Sequence, residues 1–124
     1  MTSPTPPKVL AVVTRHAPYG SHKAQQSLDI ALAAAVFEQT VNYIFIGDGV
    51  FQLIKHQNAT SIQSKTLTNA LGTLDLYGIE SVYADRASLV ERNLDVADLA
   101  LGAKIIDQDE ISNLLKSSDN IFNL

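Results

Sequence analysis

The chain of 124 residues contains no cysteine, and that absence limits the chemistry open to its other polar residues. Without a thiol it can form no disulfide, give no thiolate to a metal and carry no persulfide of its own. The only imidazoles are His16, His22 and His56, and no carboxylate stands at a spacing that would complete a metal site with any two of them. They read as exposed polar side chains, and no metal or cofactor is expected. A strand-to-helix elbow of the G-x-S-x-G kind, which exposes the serine of many hydrolases, is missing. Gly47-Asp48-Gly49 follows an apolar run, where a phosphate-accepting aspartate could stand. That chemistry also needs an acidic pair after the first strand to hold Mg²⁺, and Thr14-Arg15 occupies that place. The triplet therefore reads as a turn. Ala17-Pro18-Tyr19-Gly20-Ser21 bears some likeness to a phosphate-cradling loop, but one glycine and a rigid proline supply too few free N–H groups. Asp85 is the most informative polar residue, because it falls where a strand ends and a helix begins. Backbone N–H groups there favour negative charge, and a cysteine in that place would be an activated sulfur nucleophile. The carriage of a carboxylate instead points to a helix N-cap.

The elements that must position these residues follow from the apolar pattern. Val9-Leu10-Ala11-Val12-Val13 is a continuous β-branched run, the signature of a strand buried on both faces. Ser21 is placed to cap a helix over His22 to Gln39, whose later part from Leu28 to Phe37 is apolar almost all the way round and so should be covered on two sides. A second strand is expected at Val41 to Ile46, a helical turn at Val50 to Ile54 and a surface loop at Lys55 to Ser64. Leu67, Ala70, Leu71 and Leu74 have the i, i+3, i+4, i+7 spacing of an amphipathic helix, with Gly78 as its stop. Strands at Ser81 to Ala84, Ala103 to Ile106 and Asn120 to Leu124 alternate with helices over Asp85 to Arg92 and after Asp107 or Asp109. The alternation predicts an α/β fold: a single-domain, open, parallel five-stranded sheet with helices on both faces, a flavodoxin-like three-layer arrangement. Residues 1–7, with three prolines, read as a disordered leader before a domain over 8–124.

Composition narrows the function further. Hydrophobic residues make up 46% and charged residues 18%, as in an ordinary globular domain. A net charge of −4 gives no electrostatic drive toward polyphosphate, so direct nucleic-acid binding is not expected. The longest apolar stretch, from Leu28, is about half of what a bilayer requires, and the N-terminus lacks the basic start and apolar run of a signal peptide. A cytoplasmic protein with no membrane contact is the expectation.

Three segments together resemble a known family. Arg15-His16-Ala17-Pro18-Tyr19-Gly20, Ile46-Gly47-Asp48-Gly49-Val50-Phe51-Gln52-Leu53 and Val82-Tyr83-Ala84-Asp85-Arg86-Ala87-Ser88-Leu89-Val90-Glu91-Arg92 resemble the TusC/DsrF family, within the DsrE/DsrF-like sulfurtransferase group. The likeness runs from Lys8 to Leu124, and one departure is Asn93, where these proteins commonly carry glycine. It implies a subunit of a three-component sulfur relay, in which a TusD/DsrE-like chain bears a persulfide-accepting cysteine and a TusB/DsrH-like chain completes the set. The three would form a dimer of heterotrimers. On this sequence the position of that cysteine falls at Asp85, and Arg15, Tyr19, Gly20, Asp48, Gly49, Arg86 and Ser88 are expected at a pocket or interface around it. The implied role is a non-catalytic subunit that supports sulfur delivery toward 2-thiouridine at the tRNA wobble position. The equivalent subunit of a DsrEFH complex in dissimilatory sulfur oxidation is the alternative, and a stand-alone α/β ligand-binding module or enzyme is the alternative of another class.

Overall fold

The structure, a computed structural model, describes residues 8–54 and 70–124. Five strands, β1 (Val9–Thr14), β2 (Thr40–Phe45), β3 (Ser81–Asp85), β4 (Lys104–Ile106) and β5 (Asn120–Asn123), form one parallel sheet in the order β4-β3-β2-β1-β5. The first three crossovers step outward in one direction, and right-handed connections place them all on one face. The last crossover returns from β4 past three strands to β5, which puts its helix on the other face. The three layers are therefore unequal, as the two apolar clusters record.

The larger cluster joins Leu10 and Val12 of β1 and Tyr43 and Phe45 of β2 to Ala24, Leu28 and Ala31 of helix α1 (Lys23–Val36). The smaller one joins Val13, Ile44 and Ile106 to Ile111 of helix α3 (Gln108–Lys116). Alternate residues of one strand thus serve opposite cores, which is why the strands read as continuous apolar runs. The stacked rings of Tyr43 and Phe45, 4.5 Å apart at their centroids, fill the centre of the larger core.

Helix boundaries show where side-chain signals and backbone geometry part. Helix α1 is preceded by His22 at its N-cap position, and the expected capping residue, Ser21, stands one place earlier, where its hydroxyl accepts the Lys23 N–H at 3.3 Å. The helix also stops at Val36, short of the expected Gln39. There the Gln39 N–H donates to the Ala34 carbonyl and the Glu38 N–H to that of Ala35, a Schellman closure that forces Glu38 to φ +61°. Nor is α1 covered on two sides by the described residues. Ala24, Ser27, Leu28, Ala31 and Ala34 are buried, whereas Val36 and Phe37 stand out, Phe37 78% exposed.

Residues 70 and 71 are helical and lead through a 3₁₀ turn at Leu74–Tyr77 to Gly78, whose φ of +81° supplies the expected stop. The expected leader at 1–7, the loop from 55 and the start of the helix containing Leu67 lie outside the described residues. Helix α2 (Arg86–Glu91) follows β3 directly, with Asp85 as its N-cap, and Asp107 rather than Asp109 caps α3 by accepting the Glu110 N–H at 3.0 Å. Among the described residues no helix is long and apolar enough to cross a membrane.

Candidate functional site

The C-terminal ends of β1, β2 and β3 bring together half of the residues singled out above, Asp48, Gly49, Asp85 and Ser88. Adjacent strands β3 and β4 send their outgoing connections to opposite faces, so the ends of these two strands flank a topological switch point, the usual location of sites in open α/β sheets. Asp85 ends β3 at this place.

Its carboxylate is engaged in local structure through one oxygen. Oδ2 accepts the Ser88 backbone N–H at 3.2 Å and the Ser88 hydroxyl at 2.5 Å, while the Ser88 Oγ accepts the Gly47 N–H at 2.8 Å. One aspartate and one buried serine thereby cap α2 and tie it to the loop after β2. The Ser88 proton is committed to Asp85 and the oxygen to Gly47, and the side chain is buried, so this Ser-Asp pair is built as a brace rather than as an exposed nucleophile with a base.

The loop after β2 is a 3₁₀ segment, Gly47–Leu53. Its glycines have different causes. Gly47 adopts φ +58°, whereas Gly49 lies so close to β1 that a Cβ there would sit 2.1 Å from the Thr14 carbonyl oxygen. Asp48 points outward and accepts from Nε and Nη2 of Arg92 at 3.1 and 2.9 Å; Nη1 of the same guanidinium donates to the Ser88 carbonyl at 3.1 Å. Arg92 also lies 5.9 Å from the Phe51 ring centroid, within cation-π range. The loop is thus held to α2 from two sides.

Beneath it runs a buried polar network that the sequence reading missed. Gln52 Nε2 donates to Thr14 Oγ1 at 2.9 Å and to the His16 carbonyl at 2.8 Å. Ser27 Oγ stands 3.0 Å from both Thr14 Oγ1 and Tyr43 Oη and donates to the Ala24 carbonyl at 2.8 Å. The single Ser27 proton is shared between the Ala24 carbonyl and Thr14 Oγ1, both acceptors, so the Tyr43 phenol donates to Ser27 Oγ. Burial pushes the Tyr43 phenol well above its usual range. Among the described residues the Gln52 Oε1 alone is buried without a partner.

The remaining expected residues do not converge on this cluster. Arg15 Nε donates to the Asn123 side chain at 2.6 Å, and the Arg15 N–H to the Leu124 carbonyl, so Arg15 fastens the sheet edge. Tyr19 is exposed, Gly20 provides φ +87° with open space around it, and Arg86 faces a groove on the outer side of α2. Arg92, absent from the expected set, is the residue that gathers the loop. Asn93 takes φ +54° at the end of α2, a left-handed conformation that asparagine tolerates and glycine adopts freely. Among the described residues no group of three or more His, Asp or Glu side chains could hold a metal ion.

The sequence profile of the DsrE/DsrF-like family matches residues 8–124. A TusC homolog of Pseudomonas aeruginosa is 34% identical over 115 residues, covering 93% of this chain and 97% of its own. TusC of Buchnera aphidicola subsp. Baizongia pistaciae is 35% identical over 117 residues, covering 94% and 98%. The crystal structure of the ychN protein from E. coli superposes with a TM-score of 0.79 over 94% of this chain and 99% of its own; at 20% identity that likeness establishes the fold alone.

Proposed function

The chain belongs to the DsrE/DsrF-like family, and we propose that within it the protein serves as a non-catalytic subunit of a cytoplasmic sulfur-relay complex. The observation that carries this reading is that the chain has no thiol anywhere. Asp85, which the resemblance places where the family carries its active cysteine, is a carboxylate that caps α2 and accepts from Ser88. Persulfide transfer requires a thiolate to accept sulfur, so the acceptor must be on a partner. Exposed Phe37, Leu76, Val90 and Ile121 are more apolar surface than an isolated domain needs, which supports a chain that works in an assembly.

The partners in this reading are a TusD/DsrE-like chain that carries the sulfur and a TusB/DsrH-like chain, arranged as a dimer of heterotrimers. Because the similar proteins are TusC chains, we place the relay in tRNA wobble 2-thiolation rather than in sulfur oxidation. The test is a reconstitution in which the three chains receive sulfur from a cysteine desulfurase and free cysteine. Intact mass should then show an added sulfur atom on the cysteine-bearing partner and none on this chain. A stable sulfur adduct on this chain, or a partner equally active without it, would contradict the reading.

A further inference from the structure

A groove on the outer side of α2 carries a different kind of information from the braced cluster at Asp85. It has a volume of about 460 Å³ and is lined by Arg86, Leu89, Val90, Leu94, Val96 and Ile105 among others. Its floor is apolar: Leu89 is buried, and Leu94 and Ile105 pack against the main core. Its walls are two valines that protrude into solvent, Val90 at 69% and Val96 at 57% exposure. Isolated exposed valines would need no explanation, but two of them flanking one apolar trough form a shaped surface.

The guanidinium of Arg86 stands at this trough with no internal task. No hydrogen bond or ion pair joins it to any described residue, in contrast to Arg92, which binds Asp48, Glu91 and the Ser88 carbonyl. It occupies the first turn of α2, the end of a helix at which a cation gains nothing from the backbone dipole. Asp95, the other charged residue in the lining, is engaged in a capping box with Asp98 that closes its own 3₁₀ turn. The trough therefore offers an apolar slot with one unpaired cation, on a chain of net charge −4.

We propose that this groove is the docking site for a partner subunit, and that it receives a segment carrying a large aliphatic or aromatic side chain next to a carboxylate. The side chain fills the trough between Val90 and Val96, and the carboxylate takes the bidentate pairing that Arg86 offers. Because Arg86 follows Asp85 in the chain, such docking would hold the partner beside the position matching the family's cysteine. This inference rests on the subunit reading above and adds the surface and the chemistry of its partner.

The test is binding of the full-length chain to the cysteine-bearing and third chains of its own genome, measured at low and high salt. Arg86→Glu and Val90→Asp should each weaken binding by about tenfold or more, with the Arg86 effect shrinking at high salt. Lys104→Glu, which makes the same charge change at an exposed lysine outside this groove, should leave binding within about threefold. Circular dichroism should show all three variants folded. Wild-type binding with Arg86→Glu and Val90→Asp unchanged, or Lys104→Glu as damaging as Arg86→Glu, would overturn the docking inference alone. Failure of the wild-type chain to bind either partner would overturn the subunit reading, and this inference with it.

Discussion

Removal of the Asp85 carboxylate should unfasten α2 from two directions at once. In the folded chain Oδ2 accepts both the Ser88 N–H and the Ser88 hydroxyl. Asp85→Ala deletes an N-cap, worth about 0.5–2 kcal/mol. It also strands the hydroxyl proton of Ser88, which is 5% exposed, at a further cost of about 1–3 kcal/mol that overlaps with the first. Together the losses come to about 2–3 kcal/mol, or roughly 8–12 °C in melting temperature for a domain of this size. Asp85→Asn keeps an oxygen that can accept both bonds and should cost about 1 kcal/mol, the difference between a charged and a neutral acceptor. Asp85→Ser retains a capping oxygen on a shorter arm and should fall between them. Thermal melting by circular dichroism on the purified chain, or on its complex where the chain is unstable alone, reads the order. An alanine variant melting within about 2 °C of the parent, or an asparagine variant as damaged as alanine, would refute the brace: the first by removing its energetic role, the second by making charge rather than geometry the variable.

Gly49→Ala should abolish soluble folded protein or lower the melting midpoint by more than about 10 °C, because the new methyl meets main-chain Thr14 rather than a movable side chain; soluble yield and melting report it. Glu38→Gly should stabilise the chain by about 0.5–1 kcal/mol, the relief of a left-handed residue less the added unfolded-state freedom of glycine, seen as a higher denaturant midpoint. Gln52→Glu replaces the donor to Thr14 and His16 by an acceptor in a buried place. Burial raises the folded-state pKa of such a carboxyl above its unfolded value of about 4.3. The variant's deficit should therefore be smallest below that value and grow as pH rises through the interval up to the folded pKa, as urea melts at pH 4.5 and 7.5 would show. A deficit independent of pH would contradict the network's assigned proton directions.

The central strands β1 and β2 were legible because each serves two cores and so shows a short, continuous apolar run, whereas β5 is exposed along its length. Asp85 and Asp107 were legible as caps because their side chains do the capping. The end of α1 was not, since Glu38 adopts a left-handed backbone that its side chain does not announce. The cover of α1 was read as two-sided because hydrophobicity records what must be buried without saying in which molecule. Val36 and Phe37 are bare in this chain. The hydroxyl network had a faint signal, polar Ser27 and Gln52 inside otherwise apolar segments, but only the fold brings them to Thr14 and Tyr43. The Asp48–Arg92 pair spans 44 positions and had no local signature at all. Arg15 and Arg86 illustrate the opposite limit: both are near the strand ends in sequence, yet one ties down β5 and the other faces outward.

The central claim is that this chain works as a subunit without sulfur chemistry of its own. Native mass spectrometry of the chain co-expressed with the DsrE-like and DsrH-like chains proposed as its partners tests it most directly. The account predicts one dominant species containing equal numbers of all three chains, with the mass of a dimer of heterotrimers. A monomer of this chain that persists at micromolar concentration beside the other two would contradict it.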